Sequence, residues 1–174
     1  IVFSKVKQRL GGKVRLLLTG SAPISAEVMG FLKVCFCCTF LEGYGMTETS
    51  AGSVTMLPSD VTFGHVGGPV ANVKIRLRDI PEMGYSHEGT DGSLPRGEIC
   101  FWGPSIMPGY YKNPEKTAEC LSNGWLASGD VGEVRPNGSI KIIDRAKNIF
   151  KLSQGEYIAP EKLENVYVQS SWIA

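Results

Sequence analysis

Two short apolar segments, each running straight into a glycine-bearing loop, constrain this chain most. Residues 14–19 read VRLLLT and stop at Gly20 of GSAP; residues 39–42 read TFLE and run into GYGMTE at 43–48. Short apolar runs punctuated by glycine are the pattern of strands. Between them, Ser25 is a suitable helix N-cap, and Val28, Leu32, Cys35 and Phe36 recur at helical spacing. A helix with one buried face is therefore expected from Ala26 to about Cys38, with a buried strand before it over Val14–Thr19 and another short strand after it over Thr39–Glu42.

The remainder is richer in strand signals. Val73–Arg78 (VKIRLR) alternates apolar and basic residues, which predicts a half-exposed strand, and Gly97–Trp102 is a second candidate. In NPEKTAECL, Asn113 is an N-cap and Pro114 a first helical residue. Val131–Val134 and Ser139–Ile143 flank RPNG, a hairpin signal. Pro160 opens a helix whose Leu163, Val166 and Tyr167 share a face. Pro58–Arg96 is rich in turn residues and reads as loops between short strands. The class is mixed α/β.

Composition excludes several functions. A net charge of +1 over 174 residues, with the basic residues scattered, gives no footprint for nucleic acid. Five cysteines without regular spacing argue against a disulfide framework and fit a reducing compartment. The CFCC stretch reads as apolar packing at a helix end, because His65 and His87 are far away in sequence as further metal ligands. The longest largely apolar run, FLKVCFCCTFL, has 11 residues and contains Lys33, too short to span a bilayer. Ile1 is not an initiator and WIA carries no closing signal, so both ends are expected to be cuts.

Four motifs fall at predicted strand ends: GSAP (20–23), GYGMTE (43–48), SGD (128–130) and IIDRAK (142–147). Strand ends are where such sheets present ligand-binding loops. Gly20 and Gly43 leave room for a planar base against the backbone, and Tyr44 offers a stacking face. The Thr47 hydroxyl can donate to a phosphate, and Glu48 is a hard oxygen ligand suited to magnesium. Asp130 can accept from both ribose hydroxyls, and Arg145 is a planar fork for ribose or phosphate. Any one fragment alone is a turn, and Asp144 with Arg145 alone is a surface ion pair; the joint order along one chain describes a nucleotide with its sugar, phosphate and metal.

The sequence resembles the adenylate-forming ligase superfamily, and within it the long-chain fatty acyl-CoA synthetases. The resemblance is carried by YGMTET (44–49), RGEICFWGPSIMPGYYKNPEKT (96–117) and NGWLASGDVGEVRPNGSIKIIDRAKNIFKLSQGEYIAPEKLENVY (123–167), with GEYIAPEKLE pointing to the long-chain branch. It implies ATP, Mg2+ and coenzyme A, a fatty acid substrate, and no nucleic acid. It implies that 1–143 is the C-terminal part of a large adenylating domain with a β-rich subdomain, 144–147 a hinge, and 148–174 the start of a small C-terminal lid. Gly20, Ser21, Ala22 and Pro23 would line the adenine side; Gly43, Tyr44, Gly45 and Met46 would hold the base, Tyr44 stacking on it. Thr47 would bond the α-phosphate, Glu48 would bind the metal, and Asp130 the ribose. Ile142 and Arg145 would complete the nucleotide pocket, while Lys151 and Gly155–Glu156–Tyr157 would belong to the thioester-forming conformation.

Asn123, Ala127 and Ser128 stand where the family has Asp, His and Thr, and Ala146 where its hinge has Lys. The family's phosphate loop would precede residue 1 and its adenylating lysine would follow residue 174. The chain is thus expected to be an internal segment, inactive alone, of a protein on the cytoplasmic side that associates with a membrane of the endoplasmic reticulum or peroxisome. Another adenylate-forming ligase, for aryl or amino acids, and a non-catalytic AMP-binding module are the alternatives.

Overall fold

The computed structural model describes residues 2–89, 92–154, 157–168, 170 and 172. After a short helix α1 (Ser4–Gln8), strand β1 (Leu16–Thr19), helix α2 (Ala26–Phe36) and strand β2 (Thr39–Met46) form a strand–helix–strand unit. The helical crossover makes β1 and β2 parallel, with Leu16 opposite Thr39 and Thr19 opposite Glu42. Strands β3 (Ala51–Thr55) and β4 (Gly68–Pro69) then add antiparallel, giving the order β1-β2-β3-β4.

Helix α2 starts as expected, the Ser25 hydroxyl accepting from the Val28 N–H at 3.2 Å. It stops earlier than expected, because Cys37 takes the left-handed conformation (φ 48°) and closes it. Its buried residues are Met29 and Cys35, Leu32 packs on the core and Phe36 is half-buried, so the expected face holds except that Met29 takes the place of Val28, which is exposed. Met29 packs with Phe40 and Met56, and Leu17, Ile24, Leu32 and Phe63 close around them. The expected buried strand at β1 is covered on one face only: it is the edge strand, and Leu16 and Leu18 are exposed.

Strand β2 continues through Gly43–Tyr44–Gly45 instead of ending at Glu42. Glycine's weak strand preference suggests a turn, but β3 lies so close that a Cβ on Gly45 would collide with the Ala51 carbonyl. The register slips between Tyr44 and Gly45, leaving Ser53 as an extra residue opposite them.

The second sheet is antiparallel. It orders β5 (Lys74–Arg78), β6 (Arg96–Trp102), β8 (Trp125–Val134) and β7 (Leu121–Ser122), with β9 (Ile140–Arg145) also on β8. Helix α3 (Pro114–Cys120) precedes β7, and the Asn113 side chain caps it through the Lys116 N–H at 3.0 Å. The RPNG hairpin forms, with Gly138 at φ 80°. Strand β9 runs through Asp144 and Arg145, two residues beyond the expected end. Strands β10 (Phe150–Lys151) and β11 (Tyr157–Ile158) pair, and helix α4 (Pro160–Tyr167) follows. Its Leu163, Val166 and Tyr167 are exposed. Gly155 and Glu156 lie outside the described residues.

The two sheets share a core of Val54, Val66, Val73, Ile99, Phe101 and Ile140, with Tyr44 packed against it. Gly67 and Ile140 are stitched by reciprocal backbone bonds of Val66 to Ile140 and Ile140 to Gly67, each 2.8 Å. This seam brings the end of β2 next to β6, β8 and β9. No helix of the described residues is long and apolar enough to cross a membrane.

Glu42 ends the parallel part of β2 as a buried carboxyl that accepts a bond from the Ile24 backbone N–H. Burial pushes its pKa up to about 7. A raised folded pKa means that folding is favoured while the group is neutral, and that this contribution is lost as pH rises through about 7. Glu42→Gln keeps the acceptor without the charge. It is expected to raise the melting temperature by roughly 3–6 °C at pH 8 and to have no effect near pH 4.5, as read by thermal scans at both pH values. An equal effect at both would show that Glu42 ionises freely.

Candidate nucleotide-binding site

Because β1 and β2 are parallel, the loops that follow them emerge at the same sheet end. A Cβ on Gly20 would meet the Gly43 carbonyl at 3.1 Å, so Gly20–Pro23 and Gly43 lie side by side. Ser21 turns the first loop in the left-handed region (φ 69°), and Ser21, Ala22 and Pro23 are exposed. Glycine at both 20 and 43 leaves a surface of backbone atoms on which a flat ring can lie.

Tyr44 reaches across to the second sheet. Its hydroxyl donates to Asp130 Oδ2 at 2.5 Å, and its ring packs 5.9 Å from that of Phe101 at 37°. On the other side of Asp130, Arg145 Nε lies 3.4 Å from Oδ1. Asp130 and Arg145 are register partners on β8 and β9, which places the fork beside the carboxylate. Tyr44 and Asp130 lie within β2 and β8, not at strand ends as expected, and with Arg145, the last residue of β9, they bring three strands together on one carboxylate. Burial first, and then the charge of Asp130, hold the Tyr44 phenol well above its ordinary pKa. The phenol therefore stays a donor at every physiological pH. Arg145 is largely exposed, and its guanidinium remains open to a second anionic partner.

Taken alone, Asp144 and Arg145 would read as a surface ion pair. Instead Asp144 is buried at 1% exposure and its Oδ1 accepts from the Arg145 backbone N–H at 2.6 Å, while the Arg145 side chain turns to Asp130. Asp144 thus fixes the strand end that carries the fork.

After Met46 the chain enters a 3-10 turn over Thr47–Thr49, closed by Ser50 in the left-handed region (φ 58°). Thr49 is buried within it and bonds Met46 and Ala51. Thr47 is exposed at the start of the turn. Glu48 is held at both its ends: its carbonyl accepts from the Met107 N–H at 2.9 Å, and its Oε1 accepts from the Tyr110 hydroxyl at 2.6 Å. That hydrogen bond, before burial, pushes the Tyr110 pKa up to about 12. Among the described residues there is no group of three or more His, Cys, Asp or Glu to enclose a metal. One anchored carboxylate on an open turn suits magnesium, which takes one or two protein oxygens and completes its shell with phosphate and water.

Two expected site residues lie apart from these. Ile142, opposite Gly132, packs its side chain on the shared core. Lys151, on β10, sits over the Tyr157 ring at 5.2 Å. Sequence reasoning missed Tyr110 and Glu98, whose Oε1 accepts the Gly129 N–H at 2.9 Å. Both lie in quoted segments, but their partners are 62 and 31 residues away, a separation that no local pattern reports.

The chain is similar to known proteins. A family profile described as AMP-binding enzyme matches residues 3–111. Long chain acyl-CoA synthetase 5 of Arabidopsis thaliana is 52% identical over 99% of this chain, which spans 26% of that protein. The chain thus covers about a quarter of the curated relative's length. The A domain of carboxylic acid reductase from Segniliparus rugosus, solved with AMP and a co-purified carboxylic acid, matches 95% of this chain and 25% of its own, with TM-score 0.80 and 35% identity. O-succinylbenzoate coenzyme A synthetase from Bacillus subtilis, solved with ATP and magnesium ion, matches 94% of this chain and 34% of its own, with TM-score 0.75 and 25% identity.

The engaged Tyr44 phenol is open to direct measurement. Tyr44→Phe is expected to leave the amplitude of the 295 nm absorbance titration unchanged up to about pH 11, since a hydroxyl bound to a carboxylate does not ionise there. A loss of amplitude would show a free phenol.

Proposed function

We propose a function from the premise that the chain belongs to the AMP-binding enzyme family: it is part of a long-chain fatty acid–CoA ligase that uses ATP, magnesium and coenzyme A. The observation that supports this best is the convergence of Tyr44, Asp130 and Arg145 beside the Gly20 loop and the Gly43 backbone. The 52% identity to a long chain acyl-CoA synthetase supports the substrate class.

The residues divide the nucleotide between them. The backbone of Gly20–Pro23 and Gly43–Met46 receives the adenine. The Asp130 carboxylate, with its oxygens spread between Tyr44 and Arg145, accepts from the ribose hydroxyls. Arg145 and the exposed Thr47 hydroxyl supply donors for phosphate oxygens. Glu48, steadied by Tyr110, would hold magnesium, which when bound neutralises charge on the phosphates.

In the first step the fatty carboxylate oxygen attacks the α-phosphorus of ATP and pyrophosphate leaves. Charge spreads over the phosphate oxygens in the transition state, so fixed donors there lower the barrier. In the second step a coenzyme A thiolate attacks the acyl-adenylate carbonyl and AMP leaves, its ribose still held by Asp130. Different groups must face the reacting carbon in the two steps, and a pivot at Asp144–Lys147 provides the exchange. The buried Asp144 anchors one side of that pivot, and the Lys151-bearing unit from 148 onward turns on the other.

Carboxylate-dependent ATP–pyrophosphate exchange by the full natural protein tests the reading, with acids from acetate to palmitate alongside aryl and amino acids. Exchange driven by long fatty acids is expected. Exchange with another class keeps the mechanism and replaces the substrate; none with any acid leaves a nucleotide-binding module. Asp130→Ala is expected to raise the KM for ATP by roughly 10–100-fold through the loss of two ribose bonds. Lys147→Pro is expected to slow thioester formation more than adenylation, and equal losses in the two half-reactions would remove the pivot.

A further inference from the structure

The geometry points to Glu98 as a positioning residue for the nucleotide site: its carboxylate holds the Ser128–Asp130 bulge in the shape that aims Asp130 at the ribose. This rests on the reading of Asp130 given above.

Glu98 is a buried carboxylate that none of the proposed chemistry uses. It lies on β6, in the middle of the second sheet, where an unpaired charge is strongly disfavoured. Both its oxygens are engaged. Oε2 pairs with the guanidinium of Arg78 on the neighbouring strand β5, and Oε1 accepts the Gly129 N–H at 2.9 Å.

The need for that second bond comes from the ladder between β6 and β8. Cys100 is opposite Ala127, and Glu98 is opposite Val131. The single residue Ile99 therefore faces three, Ser128, Gly129 and Asp130. The excess residues bulge out, and their backbone groups lose the partners that a regular strand would supply. Gly129 sits at the crest with φ 77°, a conformation suited to glycine. Its carbonyl is taken up by the Ala146 N–H at 2.8 Å, and the Asp130 N–H by Ser128 Oγ at 3.0 Å. The Gly129 N–H is taken up by Glu98 alone among the bonds described. Asp130 follows directly, so the orientation of the Gly129 peptide sets where its carboxylate points. Glu98 thereby acts on the nucleotide through Asp130 and touches no reacting atom.

Charge and reach can be separated. Glu98→Asp keeps the charge for Arg78 but is one methylene short of the Gly129 N–H. Glu98→Gln keeps an oxygen at full reach and gives up the charge. In the full natural protein, Glu98→Ala and Glu98→Asp are expected to raise the KM for ATP at least roughly tenfold, the loss for one buried hydrogen bond with its orphaned donor, with kcat changed far less. Glu98→Gln is expected to restore most of the affinity. In an Asp130→Ala background, Glu98→Ala should add less than about twofold, because its route is already cut.

Equal KM values for Glu98→Asp and the parent protein would overturn the proposal. So would a loss with Gln but not Asp, which assigns the effect to the Arg78 pair. A full Glu98→Ala penalty on top of Asp130→Ala would make Glu98 a general structural residue. If Glu98→Ala does not fold, the Asp and Gln pair decides the matter. If Asp130→Ala itself leaves ATP kinetics unchanged, it is the ribose assignment that fails, which is a separate result from any of these.

Discussion

The bond from the Tyr44 hydroxyl to Asp130 joins parts of the chain 86 residues apart, and the site depends on it. It ties a strand of the mixed sheet to a strand of the antiparallel one, at Tyr44 within β2 and Asp130 within β8. The same tyrosine ring packs on Phe101 in the shared core. One side chain therefore serves as packing at its base and as a polar strut at its tip, which is the habit of a half-buried tyrosine. With both ends fixed, the glycine backbone of β2 on one side and the Asp130–Arg145 pair on the other keep a constant relation.

The site was legible in the sequence as a set of motifs and less so as geometry, since GYG and SGD lie within β2 and β8 instead of at strand ends. Ser25, Asn113 and the RPNG turn act through neighbours in sequence, and each does what local chemistry requires. The glycines of GYG behave otherwise. Their local preference favours a turn, yet β3 pairs with them and draws β2 on to Met46. Tertiary pairing overrides propensity there because removing the side chains is what lets the two backbones approach. On α2 only Val28 was misassigned: helical spacing admits its neighbour Met29 to the same face as Leu32 and Cys35, and Phe63, far along the chain, packs on the cluster that Met29 enters.

Tyr110 and Glu98 show where local reading ends. Neither lies in a motif with an evident ligand, and each acts by holding a residue that does. Supporting residues of this kind have no spacing signature, since their partners are chosen by sheet register. Glu98 reaches Gly129 only because one residue of β6 faces three of β8. Both supports leave Asp130 and Glu48 on rigid backbone, as precise placement of a polyanionic ligand demands.

Arg145 is the last residue of β9, and it faces Asp130 across the ladder. A strand frays from its end, and the terminal pair is the first to part. Pulling on the segment beyond residue 145 would thus break the Ala146–Gly129 backbone bond and then unfasten the cation from Asp130, before disturbing the interior rungs of the ladder. The sheet behaves as a zip whose first tooth carries the charge: motion downstream would reach the carboxylate as a change in electric field while the core stays closed.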